Sequence, residues 1–245
     1  MRTLRLGAIL LRLGLELLRG MWRMRGFEAL STAHRREAVR AWSLRMLRAS
    51  RVRLQVLGQP YDQACLMAAN HVSWLDIMAL NAAHPTRFVA KSEVRHWPVL
   101  GALVAGAGTL FIERERPRDA MRVMHDMAHC LRSGEHVSVF PEGTTSDGTH
   151  VLALHANLFQ AAVSAGTPVQ PVLLRYVDSS GAPSRAAAYV DDDTILDTLR
   201  RLAAGRPLHA IVHYLPPVRG EDRRQLAATV HDALRAALHA TTSAG

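Results

Sequence analysis

Short apolar runs alternate with longer stretches of helical periodicity along most of this chain. Strands are expected near 52–56, 65–69, 87–90, 109–112, 136–140, 168–174 and 208–214. Helices are expected near 73–83, 97–105, 117–133, 157–165, 194–203 and 221–239. This alternation predicts an α/β fold, a single domain with a mostly parallel central sheet flanked by helices. Ahead of it, residues 1–25 and Thr32–Ala49 show helical spacing with no strand between them. The pattern divides the chain into basic amphipathic helices over 1–50 and an α/β domain over 51–245. At 245 residues there is enough chain for one sizeable core, and no repeat or low-complexity linker interrupts it.

Charge sharpens that division. Residues 1–53 hold 13 arginines against Glu16, Glu28 and Glu37, a balance of +10. The remaining 17 basic and 18 acidic residues give −1, so the whole formal charge of +9 comes from the first fifth of the chain. Arg5, Arg12, Glu16, Arg19 and Arg23 are spaced 7, 4, 3 and 4 and fall on one helical stripe, while leucines, Ile9 and Trp22 fill most of the rest. A spanning helix needs about 20 apolar residues with few charges. This segment is interrupted too regularly and reads as an interfacial helix with its arginines towards anionic headgroups. Arg12 and Glu16 also break any signal-peptide core. The expected partner is an anionic membrane, at the cytoplasmic face of the inner membrane. Two cysteines, Cys65 and Cys130, give no disulfide framework, as expected in a reducing compartment.

Three strands end in reactive side chains. The run Cys65–Ala69 is followed by Asn70-His71-Val72-Ser73-Trp74-Leu75-Asp76, with Ser73 the expected N-cap of the next helix. Residues five apart on one helix point about 140° apart and do not face each other. His71 is therefore placed in the turn before the helix, with Asp76 reaching back from its first turn. That suits a general base whose second ring nitrogen is held by a carboxylate. The bland alternative is a weak capping box from Ser73 to Asp76. Val137–Phe140 ends in Pro141-Glu142-Gly143-Thr144-Thr145-Ser146-Asp147-Gly148, a carboxylate and two glycines suited to a backbone-lined pocket or to a tight turn. Thr109–Ile112 ends in Glu113-Arg114. Open α/β sheets place ligands at this edge of the strands.

With these segments in order, the chain resembles the glycerophospholipid acyltransferase family, whose best-known bacterial members acylate 1-acylglycerol-3-phosphate. Asn70, His71 and Asp76 match the N-H-x4-D block, and Phe111–Arg114 the second block. Phe140–Thr144 matches the third and Val169-Gln170-Pro171-Val172 the fourth. The resemblance spans about residues 50–215. It implies transfer of a fatty acyl group from a thioester, acyl-CoA or acyl-carrier protein, to a lysolipid hydroxyl, with no further cofactor and no metal. His71 would take the acceptor's proton, and Asp76 would hold the imidazole. Lys91, Glu113, Arg114, Glu142, Gly143 and Thr144 would bind substrate, with Asn70, Pro141 and Pro171 in support. Lys91 is also the one lysine among 30 basic residues, a position where a compact ammonium is retained. Arg114 suits a two-pronged grip on phosphate. No G-x-S-x-G elbow or cysteine motif offers a protein nucleophile, which favours direct attack in a ternary complex.

The acceptor is expected to be 1-acylglycerol-3-phosphate, giving phosphatidate. Lyso-ornithine lipid is the alternative, because many phosphatidate-forming members carry arginine where this chain has Thr145. A non-catalytic lipid-binding protein is the alternative of a different class, opposed by the intact His71 and Asp76. His125, His129 and Cys130 have metal-like spacing but lie on an amphipathic helix that needs a polar face. Asp191-Asp192-Asp193 reads as a loop and cap for a helix at Thr194. The basic charge does not indicate nucleic acid, since aromatics are 5% and the charge sits on a leucine-rich helix.

Overall fold

The computed structural model describes residues 2–96, 101, 108–112 and 117–242. Two helices, α1 (Arg2–Met24) and α2 (Thr32–Ala49), precede β1 (Val52–Leu57) and β2 (Leu66–Ala69). Then come α3 (Leu75–Ala83), β3 (Arg87–Lys91), β4 (Leu110–Ile112), α4 (Pro117–Arg132) and β5 (Val137–Val139). A short 3-10 turn leads into α5 (Gln160–Ala165), followed by β6 (Val169–Val177), α6 (Ile195–Ala204), β7 (Leu208–Tyr214) and α7 (Arg223–Thr242). The seven strands form one sheet in the order β1-β7-β6-β2-β5-β3-β4. Among these described strands, β6 and β7 alone pair antiparallel. All seven predicted strands are present; the helix expected near 97–105 falls largely outside the described residues.

The central strands are apolar on both sides because helices cover both faces. Alternation along β2 shows this directly: Cys65, Met67 and Ala69 join one core, and Leu66 and Ala68 the other. The first core lies under α1, α2, α3 and α6, with Met46, Leu47, Leu75, Leu80 and Leu202 in it. The second lies under α4, α5 and α7, with Val123, Met127, Phe159, Val230 and Leu234. Along β6 the same alternation sends Val172, Leu174 and Tyr176 to the first core and Leu173 to the second.

The N-terminal helices are part of this body. Ile9 and Leu13 of α1 are buried in the first core beside Met46 and Leu47 of α2. Glu16, expected on a stripe facing lipid, instead turns into the α1–α2 seam and is only 6% exposed. Its carboxylate accepts from Arg19 at 2.5 Å and from Arg45 Nε at 2.8 Å, and its carbonyl accepts from Trp42 Nε1 at 2.9 Å. The reason is position: Glu16 lies on the edge of the stripe nearest α2, where converging arginines need a counter-charge. The leucines divide accordingly. Leu4, Leu11, Leu15, Leu18 and Trp22 stay exposed, Leu4 and Trp22 at 78% and 71%. At 3.6 residues per turn these five fall within an arc of about 60°, with the arginines beside it. Among the described residues no helix is long and apolar enough to cross a membrane.

Candidate active site

The site is assembled where β2 and β5, neighbours in the sheet, both end. Their register pairs Leu66 with Val137 and Ala68 with Val139, so the residues leaving each strand emerge side by side. Asn70 and His71 follow one strand, and Phe140 to Glu142 the other. β3 and β4 run parallel to them and end in register at Lys91 and Ile112, at the same edge.

Asn70 fastens the β2 end. Its side-chain amide donates to the Leu174 carbonyl at 3.0 Å and its oxygen accepts from the Leu174 N–H at 2.7 Å, extending the ladder to β6 by one side chain. The chain then turns. Helix α3 starts at Leu75, later than expected, and the Ser73 hydroxyl accepts from the Leu75 N–H at 3.2 Å. Asp76 folds back from the first helical turn, fully buried. Its Oδ2 accepts from His71 Nδ1 at 2.8 Å and from the N–H groups of Val72 and Ser73 at 2.7 and 2.9 Å. Its Oδ1 accepts from the Tyr176 hydroxyl at 2.7 Å. With Nδ1 engaged, Nε2 is the nitrogen of His71 left to accept a proton. The ring stacks on Phe140, centroids 3.9 Å apart and planes within 12°. Its side chain is 19% exposed, open enough to meet a substrate.

The third block closes around this pair. Phe140 to Gly143 form a turn in which the Gly143 N–H donates to the Phe140 carbonyl at 3.1 Å, and Gly143 sits at φ 74°. That left-handed conformation is why glycine stands there. Gly148, at φ 77°, lies against Val72, whose methyls would be 3.3 Å from any added Cβ. The Ser146 N–H donates to the His71 carbonyl at 2.8 Å, and the Tyr189 N–H to the Val72 carbonyl at 2.9 Å. Glu142 is 4% exposed, and neither carboxylate oxygen has a well-formed hydrogen bond among the described residues. Burial pushes its carboxyl up to about 8; the nearby amides of Leu152 and His71 pull partway back, and the Asp76 charge adds to the rise. Near neutral pH Glu142 is therefore a protonated carboxyl beside the His71–Asp76 pair.

The other expected residues are placed as follows. Pro141 is buried and its carbonyl accepts from His155 N–H at 2.8 Å. Pro171 lies on β6 opposite Ala68, and its carbonyl accepts from Leu215 N–H at 3.0 Å. Thr144 is exposed on the lip. Thr145 donates to the Tyr189 carbonyl. Lys91 ends β3 at the site edge. Glu113 and Arg114 lie outside the described residues. Nothing in the motifs singles out Phe140 as a stacking partner or Tyr176 as a donor. Tyr176 did carry a signal: a phenol inside a buried strand needs a hydrogen-bond acceptor.

The discounted clusters have ordinary roles. On α4, His125 and His129 are exposed while Cys130 faces the core. Asp193 pairs with Arg201 at 2.8 Å, and Thr194 caps α6 in a capping box with Asp197, so the cap is the threonine rather than the aspartates.

The profile of the family described as Acyltransferase matches residues 34–175, more than half of the chain. The chain belongs to this acyltransferase family. It is 37% identical over 214 residues to a lyso-ornithine lipid O-acyltransferase of Pseudomonas aeruginosa, covering 86% of this chain and 82% of that protein. It is 36% identical over 233 residues to a 1-acyl-sn-glycerol-3-phosphate acyltransferase of Neisseria meningitidis, covering 93% and 91%. In fold it is similar to the crystal structure of the 1-acyl-sn-glycerophosphate acyltransferase PlsC from Thermotoga maritima. The TM-score is 0.66 at 20% identity, over 98% of this chain and 97% of that one. The protein is thus a glycerophospholipid-type acyltransferase, and the His71–Asp76 pair lies within the matched region.

Proposed function

We propose that this acyltransferase moves a fatty acyl group from acyl-CoA or acyl-carrier protein to the free hydroxyl of 1-acylglycerol-3-phosphate, on the cytoplasmic face of the cell membrane. The observation that carries the chemistry is the 2.8 Å bond from His71 Nδ1 to a buried Asp76, which leaves Nε2 to accept a proton on a side chain that is 19% exposed. Nε2 takes the proton of the acceptor hydroxyl as its oxygen attacks the thioester carbonyl. The new C–O bond forms, the C–S bond breaks, and the imidazolium returns its proton to the departing thiolate. Asp76 holds the tautomer and offsets the charge on the ring. Glu142, protonated and buried beside the pair, supports the acceptor pocket from behind and adds no repulsion to an anionic headgroup. Lys91 and Arg114 are assigned to the phosphate.

Membrane attachment is supported by the exposed stripe of Leu4, Leu11, Leu15, Leu18 and Trp22. Beside it a groove of about 290 Å³ between α1 and α2 is lined by Arg12, Arg19, Arg45 and Arg48 around the single carboxylate of Glu16. An apolar face edged by guanidinium groups suits the plane of an anionic bilayer.

One observation favours a second acceptor. Thr145 stands where many phosphatidate-forming relatives carry arginine, and it is spent on the Tyr189 carbonyl. Nearby Asp147 holds Arg185 at 2.6 Å, so among the described residues this side of the lip presents no free cation. A zwitterionic lyso-ornithine lipid would tolerate that. Purified protein offered both acceptors, each with acyl-CoA and with acyl-carrier protein, decides the matter by product mass. Higher kcat/KM for lysophosphatidate is expected. Acylation of lyso-ornithine lipid alone would replace the proposed acceptor, and acylation of neither would overturn the reading.

A further inference from the structure

We infer that Tyr176 is a positioning residue for acyl transfer: its hydroxyl reaches from β6 to the far oxygen of Asp76 and thereby sets the aim and base strength of His71. The inference rests on the catalytic reading of His71 and Asp76.

The hydrogen bonds on Asp76 are unevenly divided. Three donors, His71 Nδ1 and the N–H groups of Val72 and Ser73, meet at Oδ2. Among the described residues only Tyr176 donates to Oδ1, at 2.7 Å. Asp76 is 0% exposed and Tyr176 4%, so neither group has bulk water as a ready substitute. The three bonds on Oδ2 hold one arm of the carboxylate against rotation about its Cβ–Cγ bond. The phenol holds the other arm, so that neither oxygen can swing out of the plane that meets the imidazole. Phe140 fixes the plane of the imidazole by stacking at 3.9 Å, and Asp76 fixes its direction within that plane. The phenol therefore completes the hold on the ring.

Its placement is built into the sheet. Asn70 clamps Leu174 through two hydrogen bonds, which locks β6 to the end of β2. Two residues further, on the same face of the strand, Tyr176 passes beyond β2 and lies over α3. Its own carbonyl accepts from Ser184 N–H at 2.8 Å, so the strand is held on that side too. Burial, then the charge and hydrogen bond of Asp76, push the phenol well above its ordinary pKa, so it remains a donor wherever the enzyme works.

Electrostatics follow from the same bond. A phenol donating to Oδ1 draws negative charge away from Oδ2, the oxygen facing His71. Without it more charge faces the ring, the imidazolium is favoured, and the base stays protonated to higher pH. Among the described residues the other titratable group beside the ring is Glu142, from the loop after β5, which is neutral below about 8 and so does not change across the acid limb. On the lip, Asp147 and Arg185 offset each other.

The test is Tyr176→Phe in the full chain, with pH–rate profiles for both substrates. Expected are a fall in kcat of about tenfold or more, KM values changed less than about twofold, and an acid limb moved up by about half a pH unit or more. A slower enzyme with an unmoved limb would reduce Tyr176 to a packing residue, and an unchanged rate would remove the role. Should the phenylalanine variant fail to fold, difluorotyrosine at position 176 keeps the shape and strengthens the donor. Its acid limb should then move down, and an unmoved limb would again overturn the inference. His71→Ala run in parallel separates the two readings. If that variant is inactive while Tyr176→Phe has the wild-type profile, only the role of Tyr176 falls.

Discussion

His71 and Asp76 were legible residue by residue, because a histidine five positions ahead of an aspartate at a strand end has few good uses. The fold shows how the pair meets: Asp76 is turned back over the helix start by the amides of Val72 and Ser73. His71→Ala is expected to lower turnover by on the order of 10²–10⁴ with the fold intact, and Asp76→Asn nearly as much by releasing the wrong tautomer. More than about a tenth of wild-type turnover in the His71 variant would remove the proposed base. The place of Glu142 at a strand end was legible, but not its protonation, which is set by burial. With its carboxyl raised to about 8, activity should fall as pH rises through that value and the carboxylate forms. Glu142→Gln imitates the protonated form. It should keep kcat/KM within about threefold at pH 7 and lose the alkaline limb, whereas Glu142→Ala should not keep the rate. A limb near 8 that survives in Glu142→Gln belongs to another group.

Helix α1 shows how far periodicity reaches at the scale of an element. Spacing identified an amphipathic helix, and the arginine stripe is real, but one apolar face could not be divided between protein and lipid from sequence. Ile9 and Leu13 went to the core, and Leu11, Leu15 and Leu18 stayed outside. Glu16 went inward because α2 supplied Arg45. Membrane binding should therefore follow the outer residues alone. Replacing Leu11, Leu15 and Leu18 together by serine should weaken binding to phosphatidylglycerol vesicles by on the order of a hundredfold and leave thermal stability nearly unchanged. Wild-type vesicle binding by that variant would show that lipid does not use this face. Cysteine labelling at position 3 checks the topology: accessibility only from the periplasmic side would mean that α1 spans.

At the scale of the whole molecule, the end of the sheet opposite His71 carries a pH dependence. His84, after α3, and His136, before β5, meet edge to face with centroids 4.6 Å apart. Burial, with Arg36 of α2 adding to it, lowers both, and His136 is brought to about 4. Folded His136 stays neutral down to about 4 but protonates near 6.5 when unfolded, and His84 is shifted in the same direction. The contribution of His136 is therefore complete above 6.5 and is lost as pH falls towards 4. For His136 that amounts to roughly 2–3 kcal/mol. Urea midpoints should drop between pH 7 and 4.5, and His136→Gln should flatten that slope; an equal slope in the variant would locate the acid sensitivity elsewhere.

What the sequence determined by itself is local: seven strands, their alternation with helices, the family blocks, and a turn that must bring Asp76 back to His71. Each follows from periodicity or from backbone geometry over a few residues. The tertiary structure decided what depends on distant neighbours. It put β5 beside β2, so that two blocks some 70 residues apart share one edge. It laid Phe140 on the imidazole, kept Glu142 dry and carried Tyr176 from β6 onto Asp76. Strand order and register are set by how both cores pack, and no short window of sequence contains both partners of those contacts.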